Sequence, residues 1–106
     1  MIDLIGQTEN LTQTDIEKGI RNDCKNCPVA RVVRRLIPNA KSVKVVNARI
    51  TKVWVTDDLF PNFHFVHSSE LSSWIRFFDK QRSVKPVTLK VIPRENHVNH
   101  ELGIVS

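Results

Sequence analysis

The chain has 106 residues, 41% hydrophobic and 25% charged, which suits one domain over residues 1–106 and excludes a largely disordered protein. Two cysteines exclude a disulfide-dense secreted scaffold, and no apolar run approaches the ~20 residues that cross a bilayer. Because no basic and then apolar leader opens the chain, we expect a soluble cytoplasmic protein without membrane contact. The net charge of +5 favours an anionic partner.

The N-terminal half predicts two helices. Thr14 is a good N-cap for a short helix over residues 15–20. Pro28 then occupies the first position of a second helix, capped by Asn26 or Cys27. The apolar residues of this second helix recur at the i, i+3, i+4, i+7 spacing of a buried stripe, and they are Val29, Val32, Val33 and Leu36.

The rest of the chain predicts four strands and a third helix. The strands are β-branched or alternating, and they cover residues 42–46, 50–56, 63–66 and 87–92. Ser68 or Ser69 caps a helix to about Gln81, which repeats the buried stripe with Leu71, Trp74, Ile75 and Phe78. Residues 1–13 could be flexible, and residues 94–106 are expected to form a polar tail. The order of elements predicts an α+β fold, with two or three helices on a mainly antiparallel sheet of about four strands.

Both cysteines, Cys24 and Cys27, lie two residues apart at the start of the second helix. Packing is the favoured interpretation, because free cysteine is among the most buried residue types. A redox dithiol is an alternative, since a helix N-terminus favours a thiolate. However, a thioredoxin-like motif follows a strand, and here a helix precedes the pair.

A zinc site is the other alternative for the thiols. Cys-x-x-Cys supplies half of a tetrahedral site, and histidines must supply the other half. His97 and His100 would share a face if the tail were helical, which makes them the better candidates. His64 and His67 would point to opposite faces of a strand.

Three arginines, Arg31, Arg34 and Arg35, fall opposite the apolar stripe of the second helix. Guanidinium forks bind phosphates well, so this face is a candidate anion site; a solvated basic face is the simpler interpretation. The two helices partly match a helix-turn-helix, but their connection exceeds the usual ~3–4 residues. The second helix also has no Asn or Gln to read bases, so we expect phosphate contact without sequence readout.

The basic character continues into the first strands with Lys41, Lys44 and Lys52. Trp54 among them could stack on a base, although core or edge packing is the simpler role for it. The chain has only three glycines and no glycine-rich phosphate loop. We therefore expect neither an enzyme nor a small-molecule binder, and no cofactor unless zinc is bound.

The run from Ile16 to Ala30, I-E-K-G-I-R-N-D-C-K-N-C-P-V-A, resembles a segment of short uncharacterised bacteriophage and prophage proteins. Those proteins share the pattern I-x-x-G-x-R-x-D-C-x-x-C-P-[VI]-A. The resemblance implies a small accessory protein of a phage or mobile element, and such proteins often bind a host macromolecule. It implies no catalytic residues. A paired Arg21 and Asp23 that fixes the turn would account for two of its positions.

These observations predict a non-enzymatic binding module whose partner is nucleic acid or another polyanion. The alternative is an inhibitor or modulator that binds an acidic surface of a host protein, including a host defence protein. A small zinc-binding or redox protein is less favoured.

Overall fold

A six-stranded mixed sheet packs against three helices in the computed structural model, which describes residues 5–92 and 99–105. The strands are β1 (Thr8–Leu11), β2 (Ser42–Val45), β3 (Ile50–Trp54), β4 (Phe63–His67), β5 (Val87–Ile92) and β6 (Asn99–Val105). The helices are α1 (Gln13–Lys18), α2 (Pro28–Leu36) and α3 (Ser69–Asp79). The strand order is β1-β5-β6-β4-β3-β2; β4 and β6 are parallel, and the other neighbours are antiparallel.

The prediction of an α+β fold is confirmed, whereas the prediction of about four strands is wrong. The additional strands β1 and β6 lie within residues 1–13 and 94–106, which the sequence does not predict as strands. β6 lies in the middle of the sheet, where Leu102 pairs with Val91 on one side and His67 on the other. Pairing with neighbours that are distant in sequence stabilises such a strand, and local composition does not reveal it.

The helix boundaries follow from their capping residues. Thr12 caps α1 in place of the predicted Thr14, because Thr12 and Asp15 form a capping box in which each backbone N–H bonds the other side chain. The predicted starts of the other two helices are confirmed. Cys27 precedes Pro28 at the first position of α2, and the Ser68 hydroxyl caps α3.

The core lies between the helices and one face of the sheet. Every residue of the two predicted apolar stripes is buried there. The same face of the sheet contributes Val43, Val45, Thr51, Val53, Phe65, His67, Leu89, Val91 and Leu102.

The alternation of strand residues leaves the other face, which we call the open face, away from the helices. Apart from Gly103, the residues of the open face whose burial is described are exposed or half-buried. They are Thr8, Asn10, Ser42, Lys44, Ile50, Lys52, Trp54, His64, Val66, Thr88, Lys90, Ile92, Glu101, Gly103 and Val105.

Candidate functional site

The cysteine segment joins α1, α2 and the edge strand β2. A Cβ atom on Gly19 would approach Pro28 Cδ to 2.5 Å, so a glycine is needed where α1 ends against the start of α2. The carbonyl of Cys24 accepts a 2.7 Å bond from the backbone N–H of Val45. Cys27 is 7% exposed and forms the N-cap of α2. These contacts hold the backbone of the cysteine segment between α2 and β2 and bury the Cys27 side chain.

Arg21 and Asp23 fix the same segment through separate contacts, so the predicted pairing of the two side chains is wrong. Arg21 Nε donates to the Phe78 carbonyl at 3.0 Å, and its guanidinium lies 5.1 Å from the Phe78 ring centroid. Asp23 Oδ1 accepts from the backbone N–H groups of Lys25 and Asn26 at 2.9 and 3.1 Å. Those bonds lower the pKa of the Asp23 carboxyl.

Both thiols line a cavity of about 300 Å³ between the start of α2, the end of β2 and α3. Its aromatic wall consists of Trp74 and Phe78, whose rings stack with centroids 5.7 Å apart. Trp74 Nε1 also donates to the Lys85 carbonyl at 2.9 Å. Burial raises the pKa of the Cys27 thiol, which opposes the thiolate that a redox dithiol needs. Cys24 is half-buried, and both thiols are free.

The structure does not bring His100 to the thiols. Cys24 contacts β2, whereas His100 lies on β6, three strand spacings or about 14 Å away across the sheet. A zinc–nitrogen bond is only ~2 Å long. His97, the other predicted ligand, lies outside the described residues. Within residues 5–92 and 99–105, no group of three or more His, Cys, Asp and Glu side chains could hold a metal ion.

His100 instead lies on the helix-covered face of the sheet, with its ring 6.5 Å from that of Phe65. Its Nδ1 atom is buried and has no hydrogen-bond partner among the described residues.

Two of the three predicted phosphate-binding arginines are bound to a carboxylate within the protein. Asp15 is 1% exposed, and it accepts from Arg31 Nε at 3.0 Å and from Arg35 Nη1 and Nη2 at 2.8 and 2.6 Å. Arg35 also donates to the Asn10 carbonyl at 2.8 Å. Arg34 donates to the Lys25 carbonyl. The three side chains therefore hold α2 to its neighbours, and Arg35 uses most of its donors within the protein.

Asp15 remains ionised because its partners outweigh its burial. Burial alone would raise the pKa of this carboxyl. The bond from Arg35, the backbone N–H of Thr12 and the bond from Arg31 all lower it, and the net pKa is well below the usual range.

A buried polar network that sequence reasoning missed centres on His67. Its Nδ1 donates to the Ala48 carbonyl at 2.9 Å, which leaves Nε2 to accept from the Thr51 hydroxyl at 2.6 Å. The Ser72 hydroxyl also donates to that carbonyl, at 2.6 Å. Burial lowers the pKa of His67 to about 4, and the Ala48 carbonyl opposes this only in part. The sequence signal that could have revealed it is the alternation of Phe63, Phe65 and His67 along one strand, which places His67 on the same apolar face as the two phenylalanines.

The open face of the sheet contains a row of cationic and aromatic side chains. Lys44 lies directly opposite Lys52, and Lys52 lies directly opposite His64 on the next strand. Neither lysine forms an ion pair with an acid in the described part of the chain. Like charges directly across a ladder destabilise it, so this pair reduces the stability of the fold.

Two more residues set the charge of the open face. Lys90 lies opposite Gly103 on β6, and Glu101 lies between Val66 and Ile92. The described residues of the open face therefore include three lysines and one acid. The surface is positive before any contribution from histidine.

The remaining predicted binding residues lie beside this row. Trp54 is half-buried on the open face, two residues beyond Lys52 on β3 and opposite Ser42. Lys41 Nζ pairs with Asp57 Oδ2 at 2.8 Å, but both side chains are exposed, so the pair contributes little. The structure thus places Lys44, Lys52 and Trp54 on one surface, away from the arginines.

The loop between β3 and β4 presents an apolar tip. Leu59 is 86% exposed and Phe60 is 74% exposed. The Asn62 side chain holds the base of the loop by accepting from the Val55 backbone N–H at 2.7 Å. Exposed large apolar groups of this kind can mark a contact surface.

Comparison with protein-family models, curated proteins and solved structures finds no match to this chain. None of the helices in the described ranges has the length and apolar character required to cross a membrane.

Proposed function

We propose that this protein is a non-enzymatic module that binds nucleic acid or another polyanion through the open face of its sheet. The observation that carries the proposal is the adjacent pair Lys44 and Lys52, which repel each other and have no described acidic partner. A fold gains no stability from such a pair, whereas a phosphate chain would neutralise it.

The arginine face of α2 contributes less to this proposal than its sequence suggests. Arg31 and Arg35 already share the carboxylate of Asp15. A phosphate would have to compete with that anion for the same donors. Arg34 is the member of the set whose position leaves it best able to add a peripheral contact.

The test measures binding of short labelled DNA and RNA by fluorescence anisotropy between about 50 and 200 mM salt. The variant Lys44→Ala/Lys52→Ala should lose most of the affinity, and its slope of log K against log salt should shrink by roughly 1.5. The matched control Lys18→Ala/Lys80→Ala removes the same charge from exposed positions on α1 and after α3. Equal affinity of the two double variants, or no binding by the wild type, would reject the proposal.

A second candidate is a modulator of a host protein with an acidic surface, and the exposed Leu59 and Phe60 favour it. Exposed apolar side chains on the β3–β4 loop, together with the lysines of the open face, suit a protein partner that combines apolar and acidic contacts. In this case the wild type would co-purify from host cells with one defined protein. Leu59→Ser/Phe60→Ser would lose that protein while keeping its affinity for nucleic acid. The resemblance of residues 16–30 to phage proteins favours a host or phage macromolecule as the partner in either case.

A further inference from the structure

The shape of the open face and the setting of Trp54 distinguish between kinds of nucleic acid. We infer that the open face takes a single strand, with a base stacked on Trp54 and phosphates on Lys44 and Lys52. This inference rests on the proposed function and narrows its ligand class to single-stranded nucleic acid.

The width of the sheet disfavours a duplex. Six strands separated by five spacings of about 4.8 Å make a surface roughly 24 Å wide. The major groove of B-DNA is about 12 Å wide and admits a helix or a two-stranded ribbon. The lysine row lies across β2, β3 and β4, on the face of the sheet rather than on a projecting element. A duplex could therefore touch it only with its outer phosphates, whereas a single strand can lie flat on it.

The two tryptophans of the chain differ in how their rings are used. Trp74 is buried, stacks on Phe78 and donates its Nε1–H to the Lys85 carbonyl. Its ring is therefore part of the core and is not accessible to a ligand base. Trp54 is half-buried on the open face, and the ring contacts found among the described residues do not include it. The residue opposite it, Ser42, is small. A half-exposed indole beside lysines is the arrangement that stacks bases without regard to sequence.

A lysine and a second aromatic ring lie beside Trp54 on the open face. Lys52 follows on the same face of β3, and His64 lies next to Lys52 on β4. An indole, two ammonium groups and an imidazole thus lie side by side. Bases stack on indole and imidazole rings. Lys52, which neighbours both Trp54 and His64, can reach the phosphate that connects two stacked bases, and Lys44 lies beyond it on β2 for the next phosphate.

The experiment compares three probes at one salt concentration: a labelled single-stranded oligonucleotide, a duplex of the same sequence and inorganic polyphosphate. The protein variants are Trp54→Leu, Trp54→Phe and the control Phe77→Leu. The control replaces an aromatic ring that is 47% exposed on α3, outside the open face. Urea denaturation of each variant checks that it is folded.

We expect the wild type to bind the single strand more tightly than the duplex. Trp54→Leu should lose about 5- to 150-fold in single-strand affinity, the loss of one stacked base, with duplex and polyphosphate affinities unchanged. Trp54→Phe should retain most of the affinity, and Phe77→Leu all of it. The single strand should also quench the tryptophan fluorescence of the wild type, and this quenching should disappear in Trp54→Leu, which retains only Trp74.

The outcomes separate this inference from the proposed function. If the duplex binds as tightly as the single strand, or Trp54→Leu and the quenching show no effect, the single-strand inference is wrong. If the wild type binds all three probes and Lys44→Ala/Lys52→Ala weakens each of them, the protein would still be a general polyanion binder. Absence of binding to every probe would reject both.

Discussion

The replacement Asp15→Asn tests whether the arginines of α2 act inside the fold. It removes the charge that Arg31 and Arg35 share and weakens the capping box with Thr12. A capping interaction contributes about 1 kcal/mol and a hydrogen bond to a charged group about 1.5–3 kcal/mol. The two arginine side chains are 31% and 38% exposed, so water recovers part of the loss. We expect the free energy of unfolding to fall by about 2–3 kcal/mol.

Urea denaturation followed by circular dichroism measures this change. Thermal unfolding should show a melting temperature lower by roughly 10 °C for a domain of this length. The matched control is Asp57→Asn, which removes the same charge from the exposed pair with Lys41 and should change the unfolding free energy by less than about 0.5 kcal/mol.

The pH dependence of the unfolding free energy gives a second test of the role of Asp15. The folded pKa of Asp15 lies below its unfolded value, so its contribution is complete above the unfolded value of 3.8 and is lost as pH falls through the folded pKa. Asp15→Asn should therefore remove part of the acid sensitivity. If Asp15→Asn unfolds within about 0.5 kcal/mol of the wild type, Asp15 does not hold the arginines and the reasoning fails.

Three further outcomes follow from the structure. Burial lowers the pKa of His67 to about 4, so as pH falls the unfolded chain binds a proton at this histidine before the folded protein does. The free energy of unfolding should therefore fall by on the order of 3 kcal/mol between pH 6.5 and pH 4. Urea midpoints across that range check this, and His67→Gln should flatten the curve. Lys52→Glu should raise stability by about 0.2–1 kcal/mol in thermal unfolding, because it pairs with Lys44, while abolishing polyanion binding. In a thiol titration, Cys24 should react quickly, and Cys27 only when urea unfolds the protein.

Local signals in the sequence predicted the starts of α2 and α3 and the positions of β2 to β5 well. Apolar spacing and caps act within a few residues, as at Pro28 and Ser68. The strands β1 and β6 escaped prediction because their stability comes from partners far along the chain. Leu11 is the one buried side chain of β1, and it pairs with Val87.

The candidate site divides in the same way. Arg31 and Arg35 lie 16 and 20 residues from Asp15, and no helix periodicity predicts that contact. The opposition of Lys44 and Lys52, by contrast, depends only on the short turn between β2 and β3, which determines the register of the pair. The sequence could therefore predict that these lysines lie together, but it could not predict the strand order that leaves this face of the sheet uncovered.

The central position of β6 also has a consequence for biosynthesis. Of the six strands, β6 is the last to leave the ribosome, and it joins the pair β1–β5 to the group β4–β3–β2. Until it is made, β4 and β5 each present an unsatisfied edge on which other chains could assemble. We expect the nascent chain to remain dependent on chaperones until translation of β6 is complete. Released chains that stop before Asn99 should accumulate as aggregates rather than as a smaller folded domain.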